Sequence, residues 1–378
     1  MAILSTFGAM TARGFGWLLQ AAGGGPGLYT WGLNDVGQLG NNTITNRSSP
    51  VQIGALTTWS VVGSGNNHST VVKTDGTLWA WGLNDQGQLG VGNTLNRSSP
   101  VQVGALTTWS RVDLGGLSSF AIKTDGTLWA WGSNNVGQLG DSTTDGRSSP
   151  VQAGADTTWS SISAGNDGSH AIAIKTNGTL WTWGYNYQGS LGLGIPPGTN
   201  MSSPSQIGFL TTWNRGSAGG NHSIAITTSG ALWAWGANGY GQLGIGTTTA
   251  YSSPVQVGAL TTWSIVVAGG DSSLAITTSG ALWAWGANGY GQLGVGNTTG
   301  YSSPVQVGAL TTWSSVTTSG GHSLAIKTDG TLWAWGSNSS GQLGDGTITN
   351  RSSPIQVGAL TNWNAVSGGN YHSLAIKT

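Results

Sequence analysis

The chain is 378 residues long and holds 66 Gly, 21 Trp and no Cys, so disulfides and thiolate metal sites are excluded. Charged residues make up 6% of it, against about 25% in an average soluble domain. Twelve Lys and Arg balance twelve acidic residues, all Asp, which leaves neither a basic footprint for nucleic acid or anionic lipid nor much material for acid–base catalysis. No apolar run reaches the ~18–20 residues that span a bilayer.

In chain order, residues 1–26 come first and stand apart from the rest. They hold Phe7, Phe15, Trp17, Leu18 and Leu19 and end in Gly23-Gly24-Gly25-Pro26. Arg13 interrupts the apolar stretch and no basic n-region precedes it, so it is a poor secretory signal. A segment with so little to bury alone is expected to act as a docking arm on a Gly-rich hinge.

Residues 27–378 are a repeat. The Trp of W-G-x-N recurs at Trp31, Trp81, Trp131, Trp183, Trp235, Trp285 and Trp335, and a second Trp at Trp59, Trp109, Trp159, Trp213, Trp263, Trp313 and Trp363. In the unit read from His68, HSTVVKT and TLWAWG alternate around Asp75-Gly76, which predicts two strands joined by a tight type I′ hairpin. Val101 to Val103, with Pro100 at the first position, reads as a third strand, and the segment from Trp109 as a fourth. Scarce Glu, Met and Lys with abundant Gly, Ser, Thr and Trp make the whole all-β. Seven such units with no helical period predict a seven-bladed β-propeller. The last unit stops at His372 to Thr378 and the first starts at Leu28 to Gly32, so pairing of N- and C-terminal strands closes the ring.

W-A-W-G-x-N-x-x-G-Q-L-G, followed by S-S-P-V-Q-V-G and G-G-x-H-S-x-A-I-K-T-D-G, resembles the RCC1-type repeat. The resemblance implies the same propeller, in a family that spans exchange factors, photoreceptors, bacterial enzyme inhibitors and virion proteins, so fold alone does not choose a function.

Residue by residue, the repeated Trp read as inter-blade packing, and the five His (His68, His170, His222, His322, His372) as structural hydrogen-bond donors to a neighbouring loop, since Ser118 and Ser272 replace them in two units. Asp35, Asp85, Asp75, Asp125 and Asp329 read as turn residues and not as calcium ligands. No catalytic, cofactor-binding or metal-ligating residue is named. Individuality lies in the loops: Tyr185, Tyr187, Pro196 and Pro197 in the enlarged fourth unit, Asn166 and Asp167 in a second enlargement, and Tyr251 and Tyr301, which replace Arg before S-S-P. The opening MAILSTFGAMTARGFGW and the low-charge repeat are similar to virion-associated proteins of tailed bacteriophages. That similarity implies a non-enzymatic capsid-decoration, fibre or tail protein in an oligomeric assembly. Its 1–26 arm would bind other virion proteins and its propeller a host-surface glycan or protein. The alternative is a secreted propeller that inhibits a partner enzyme, as RCC1-like β-lactamase inhibitors do.

Overall fold

The computed structural model describes residues 27–55, 58–165 and 170–378. The arm with Phe7, Phe15, Trp17, Leu18 and Leu19 lies outside the described residues, as do Asn166 and Asp167.

Strands β1 (Gly27–Gly32) and β2 (Arg47–Gln52) precede blade 1, which is β3 (Trp59–Ser64), β4 (His68–Lys73), β5 (Leu78–Gly82) and β6 (Arg97–Gln102). Strands β7 to β26, over 109–356, repeat this unit as blades 2 to 6, and β27 (Trp363–Gly368) and β28 (His372–Lys377) end the chain. Each blade is a four-stranded antiparallel sheet in simple sequential order. Blade 7 is composite, in the order β2-β1-β28-β27, with Leu28 opposite Ile376 and Thr30 opposite Leu374. The ring of seven sheets is closed by pairing of the two ends.

Register fixes two faces. His68 pairs with Gly82 and Gly82 with Arg97, so these ends of the strands share what we term the loop face. Trp59 pairs with Lys73, beside the β4–β5 turn, on the opposite hairpin face. The first strand of each blade touches its counterpart in the next, so these strands ring the central channel while the R-S-S-P-V-Q strands form the rim.

Two local expectations are corrected. The β4–β5 connection is not type I′: only Gly76 has positive φ, +76°, and its N–H bonds to Lys73 O at 2.9 Å. This is a type I turn closed by a left-handed glycine, the three-residue solution that matches strand twist with one glycine instead of two positive-φ residues. The Asp75 carboxylate accepts from Thr77 N at 2.9 Å and Thr77 Oγ1 at 2.6 Å, which holds it below the usual carboxylate range. Pro100 does not start its strand, which begins at Arg97. Proline is tolerated inside it because β6 is an edge strand with a solvent side.

The core is indole-rich and lies between blades. Trp31, Trp81, Trp131, Trp183, Trp235, Trp285 and Trp335 are fully buried. Each donates Nε1–H to a backbone carbonyl in the G-Q-L-G turn of the preceding blade (G-S-L-G in blade 3), as Trp81 does to Gln38 O at 2.9 Å and Trp31 to Gln342 O at 2.8 Å. The second set of Trp packs edge-on against its neighbours, for example Trp109 on Trp129 at 6.2 Å and 86°. The packing reading of the tryptophans therefore holds. Sequence reasoning missed a further layer, the lysine ammonium groups over the half-buried indoles: Lys73 Nζ lies 3.9 Å from the Trp79 ring and Lys327 Nζ 3.6 Å from Trp333. Such cation–π contacts are worth about 0.5–2 kcal/mol each. Blades 4 and 5 substitute the cassette as a unit, with Thr227, Ser229 and Ala231 in place of Lys, Asp and Thr, and the indole N–H groups of Trp233 and Trp283 lose the threonine acceptor that Trp79 finds in Thr77 Oγ1.

Candidate functional site

The five histidines are buried and reach between blades. His68 Nε2 lies 2.9 Å from Ser119 Oγ, His170 2.8 Å from Ser223, His222 2.8 Å from Ser273, His322 2.9 Å from Ser373, and His372 3.0 Å from Ser69. The expected structural bond is present, but its partner is a strand serine of the next blade and not a loop. Most of these serines donate onward to a turn carbonyl, as Ser119 does to Gln88 O at 2.8 Å. Pair members change together across one interface, where Ser118 replaces His and Ala171 stands at the partner position. Burial depresses the imidazoles to about 3 for His68, His222 and His372 and to about 4 for His170 and His322. They are neutral structural groups at pH 7. Among the described residues no cluster of three or more His, Cys, Asp or Glu is placed to hold a metal ion, and no helix is long and apolar enough to cross a membrane.

The strands around the channel carry three charges. Arg111 and Asp113 lie on β7 (Trp109–Leu114) and Arg215 on β15 (Trp213–Ala218). Asp113 accepts from Leu114 N at 2.9 Å and Ala164 N at 3.1 Å, and from the Ser163 hydroxyl, yet desolvation outweighs these bonds and raises its carboxyl to about 6. Blade 3 meets the same inter-blade N–H with an uncharged group, Ser163 Oγ on Ala218 N at 3.1 Å. Asp113→Ser should therefore keep the bond and remove a poorly solvated charge. We expect a gain of about 1–3 kcal/mol at pH 8, measured by urea unfolding. The gain should shrink below pH 6, where the wild-type carboxyl is already protonated, and a destabilised variant at pH 8 would refute this account.

The seven-fold pattern is broken on the loop face. Six of the eight tyrosines stand on three consecutive blades, 3 to 5: Tyr185, Tyr187, Tyr240, Tyr251, Tyr290 and Tyr301. Tyr240 and Tyr290 are 62% and 55% exposed. The Tyr185 and Tyr187 rings stack at 6.0 Å and 21° beside a short 3₁₀ turn, Tyr187–Gly189. Pro196 and Pro197 are exposed, and the enlarged loop is tied back to this turn by Asn186 Nδ2 to Pro196 O at 3.0 Å. Tyr251 and Tyr301 open the outer strands of blades 4 and 5. Blades connect these groups through the G-Q-L-G approach: a Cβ on Gly241, φ +79°, would lie 2.5 Å from Ser302 Cα, so Tyr240 and Tyr301 flank one crossing point. Gly189 approaches Ser252 in the same way and sets Tyr187 near Tyr251.

The structure thus gathers Tyr185, Tyr187, Pro196, Pro197, Tyr251 and Tyr301 on one arc and adds Tyr240 and Tyr290, which sequence reasoning missed. Their sequence signal is the identical A-N-G-Y-G-Q-L-G of two successive units, where the first two units have N-D-x-G-Q-L-G. Blades 3 to 5 also carry Met201, Tyr251 and Tyr301 at the strand position where the other blades have Arg47, Arg97, Arg147 and Arg351. Asp271, raised by burial and bonded to Gln242 Nε2 at 3.1 Å, is the one carboxylate of this arc among the described residues.

Seven radially stacked antiparallel sheets, latched by their termini and joined by indole-to-turn hydrogen bonds, define a seven-bladed β-propeller whose blades differ chiefly in their loops. Residues 28–375 match the RCC1-like domain, and the chain belongs to that family. Human WBSCR16 superposes with a TM-score of 0.83 at 20% identity, covering 94% of this chain and 99% of that one. Prp20p of Saccharomyces cerevisiae, described with binding properties to Gsp1p and histones, gives 0.81 at 20% identity over 93% of this chain and 92% of that one. Yeast RCC1 (Prp20) bound to Kap60 also gives 0.81, at 18% identity, over 100% and 97%. At these identities the likeness is one of fold. A segment of 71 residues is 38% identical to the probable E3 ubiquitin-protein ligase HERC3 of Homo sapiens, covering 18% of this chain and 6% of that protein.

Proposed function

We propose that this propeller is a non-enzymatic binding scaffold that reads a protein surface through the tyrosine arc of blades 3 to 5. The observation that carries the reading is asymmetry: in a chain whose units otherwise repeat nearly verbatim, four of the five exposed tyrosines among the described residues gather on one arc of one face, where arginines give way to Tyr and Met. Tyrosine supplies large, rigid, amphipathic contact area at low entropic cost and is enriched in interface cores. Binding of protein partners by relatives such as Prp20p supports the general role. The setting we propose is a bacteriophage particle, with residues 1–26 as the attachment and the propeller as a decoration, fibre or adhesin module; support for it is the low-charge repeat and the apolar leading segment. A secreted inhibitor of a partner protein is the second setting, and it uses the same arc.

A photo-crosslinking residue at position 240 should capture one stoichiometric protein partner, whereas the same residue at Phe209, 97% exposed on the hairpin face, should not. Capture only from position 209 would move the binding surface to the other face and overturn the assignment. Tyr187→Ser, Tyr240→Ser and Tyr290→Ser should each weaken that complex about tenfold. Mass spectrometry of purified particles tests the setting separately: absence of the chain from particles removes the virion reading and leaves the arc standing.

A further inference from the structure

We infer that the channel at blades 2 to 5 is a binding site for a small, multiply charged oxyanion, such as a di- or tricarboxylate or a phosphate ester. A cavity of about 380 Å³ lies where the innermost strands of these four blades converge, lined by Arg111, Ser160, Ser161, Asn214, Arg215, Gly216 and Val266. Arg111 also lines an adjoining depression of about 560 Å³ that opens between blades 2 and 3 on the hairpin face, beside Lys123 and Asp125. The size suits a small ligand and not a folded partner.

Three independent features point to an anion. The equivalent position of the other channel strands holds Val61, Ser161, Ile265, Ser315 and Ala365, so the two guanidinium groups are placed by blade-specific change and not by the repeat. The chain has only twelve basic residues, and neither of these two is in an ion pair among the described residues, whereas Arg147 and Arg351 are bound by Asp141 and Asp345 at 2.9 and 2.8 Å. Lining the same cavity, the partly buried Ser161 hydroxyl and the exposed Asn214 amide make no side-chain hydrogen bond among the described residues. Ser160 Oγ is already used, donating to Ile174 O at 2.8 Å.

The Arg111 and Arg215 guanidinium groups, from blades 2 and 4, line this one cavity, and each can grip a carboxylate or phosphate in bidentate fashion, with Ser161 and Asn214 as further donors. Asp113, two residues beyond Arg111 on the same face of the strand, is engaged by Leu114 N, Ala164 N and the Ser163 hydroxyl and forms no ion pair with Arg111 among the described residues. Asp125, the carboxylate that lines the adjoining depression, accepts from Thr127 N at 3.0 Å and Thr127 Oγ1 at 2.6 Å and pairs with neither arginine. Two exposed arginines with no ion pair among the described residues raise the positive potential of this concavity.

Isothermal titration calorimetry of the full chain at low chloride, with citrate and with inorganic phosphate as the two probes, tests this. One saturable site per chain is expected, and the tighter of the two probes tells carboxylate from phosphate recognition. Arg111→Gln and Arg215→Gln should each weaken binding about tenfold or more, the loss of one charge-assisted pair. Arg47→Gln, an exposed arginine on the rim of blade 7, should leave it unchanged. Heats no greater than dilution for both probes, or equal weakening by Arg47→Gln, would overturn the site. Tyr240→Ser must not alter citrate or phosphate binding, which keeps this site distinct from the tyrosine arc on the other face.

Discussion

Between pH 6.5 and pH 4 the protein should lose most of its stability, with a dependence far steeper than its sparse charge suggests. Five imidazoles held at about 3 to 4 in the folded ring return to about 6.5 when the chain unfolds. Their folded values lie below the unfolded one, so the unfolded chain binds more protons throughout this window and acid favours unfolding. Asp113 opposes them: raised to about 6, it is protonated first in the folded state and returns some stability as the pH falls. At pH 5 the balance is an uptake of about four protons on unfolding, a slope of about 5 kcal/mol per pH unit. The hairpin carboxylates Asp75, Asp125 and Asp329, lowered by their threonines, add a loss of the same sign only below about pH 4. Against a total of about 5–15 kcal/mol for a domain, that is enough to unfold the ring in mild acid. Urea midpoints at pH 8, 6, 5 and 4 measure it, and each His→Asn exchange should flatten the slope by about one proton. A midpoint unchanged from pH 7 to pH 5 would sink the account.

Removing residues 372–378 should abolish cooperative folding, because it deletes β28, the strand that pairs with both β27 and β1. Leu374 and Ile376 leave the core, the half-sheet β1–β2 detaches, and two unpaired edges are exposed. Buried large-to-small changes already cost about 2–5 kcal/mol each, and here two such residues go with a whole ladder. The matching gain of function is a circular permutant. Lys73-Thr74-Asp75-Gly76-Thr77-Leu78 aligns with Lys377-Thr378 and then Gly27-Leu28, so an inserted Asp-Gly restores the turn every other blade has. With new termini opened between Asp125 and Gly126, the permutant should fold and show a Tm within a few degrees of the parent. Size-exclusion chromatography and calorimetry read both results, and a folded, monomeric truncation would show that closure is not what holds the ring.

Fold was legible because the repeat states it seven times over. Period, strand alternation, closure and the packing role of Trp81 and its equivalents all follow from pattern alone, since every unit buries the same face against the next. Turn type was not legible: Asp-Gly suits both a two-residue and a three-residue hairpin, and only the register of Lys73 against Thr77 decides. The histidine partners were half legible, because position marked them as structural while Ser119 and its equivalents, one blade away, carry no sequence signal of the pairing. Tyr185, Tyr187, Tyr251 and Tyr301 are legible as departures of single units from the repeat. Tyr240 and Tyr290 escaped because they agree with each other and so resemble consensus. Arg111 and Arg215 were not legible for another reason: they are about two repeats apart in sequence and line one cavity only because the ring brings blades 2 and 4 to a common axis.

The unfilled turn of blade 7 has one more consequence. Gly27 sits opposite Lys377, so both cut ends of the ring emerge at a single point on the side opposite Tyr240 and Tyr290. The two ends of the ring therefore share one pole while the aromatic crescent lies at the other, so a tether fused at residue 378 would present the disc outward like a dish on its stalk.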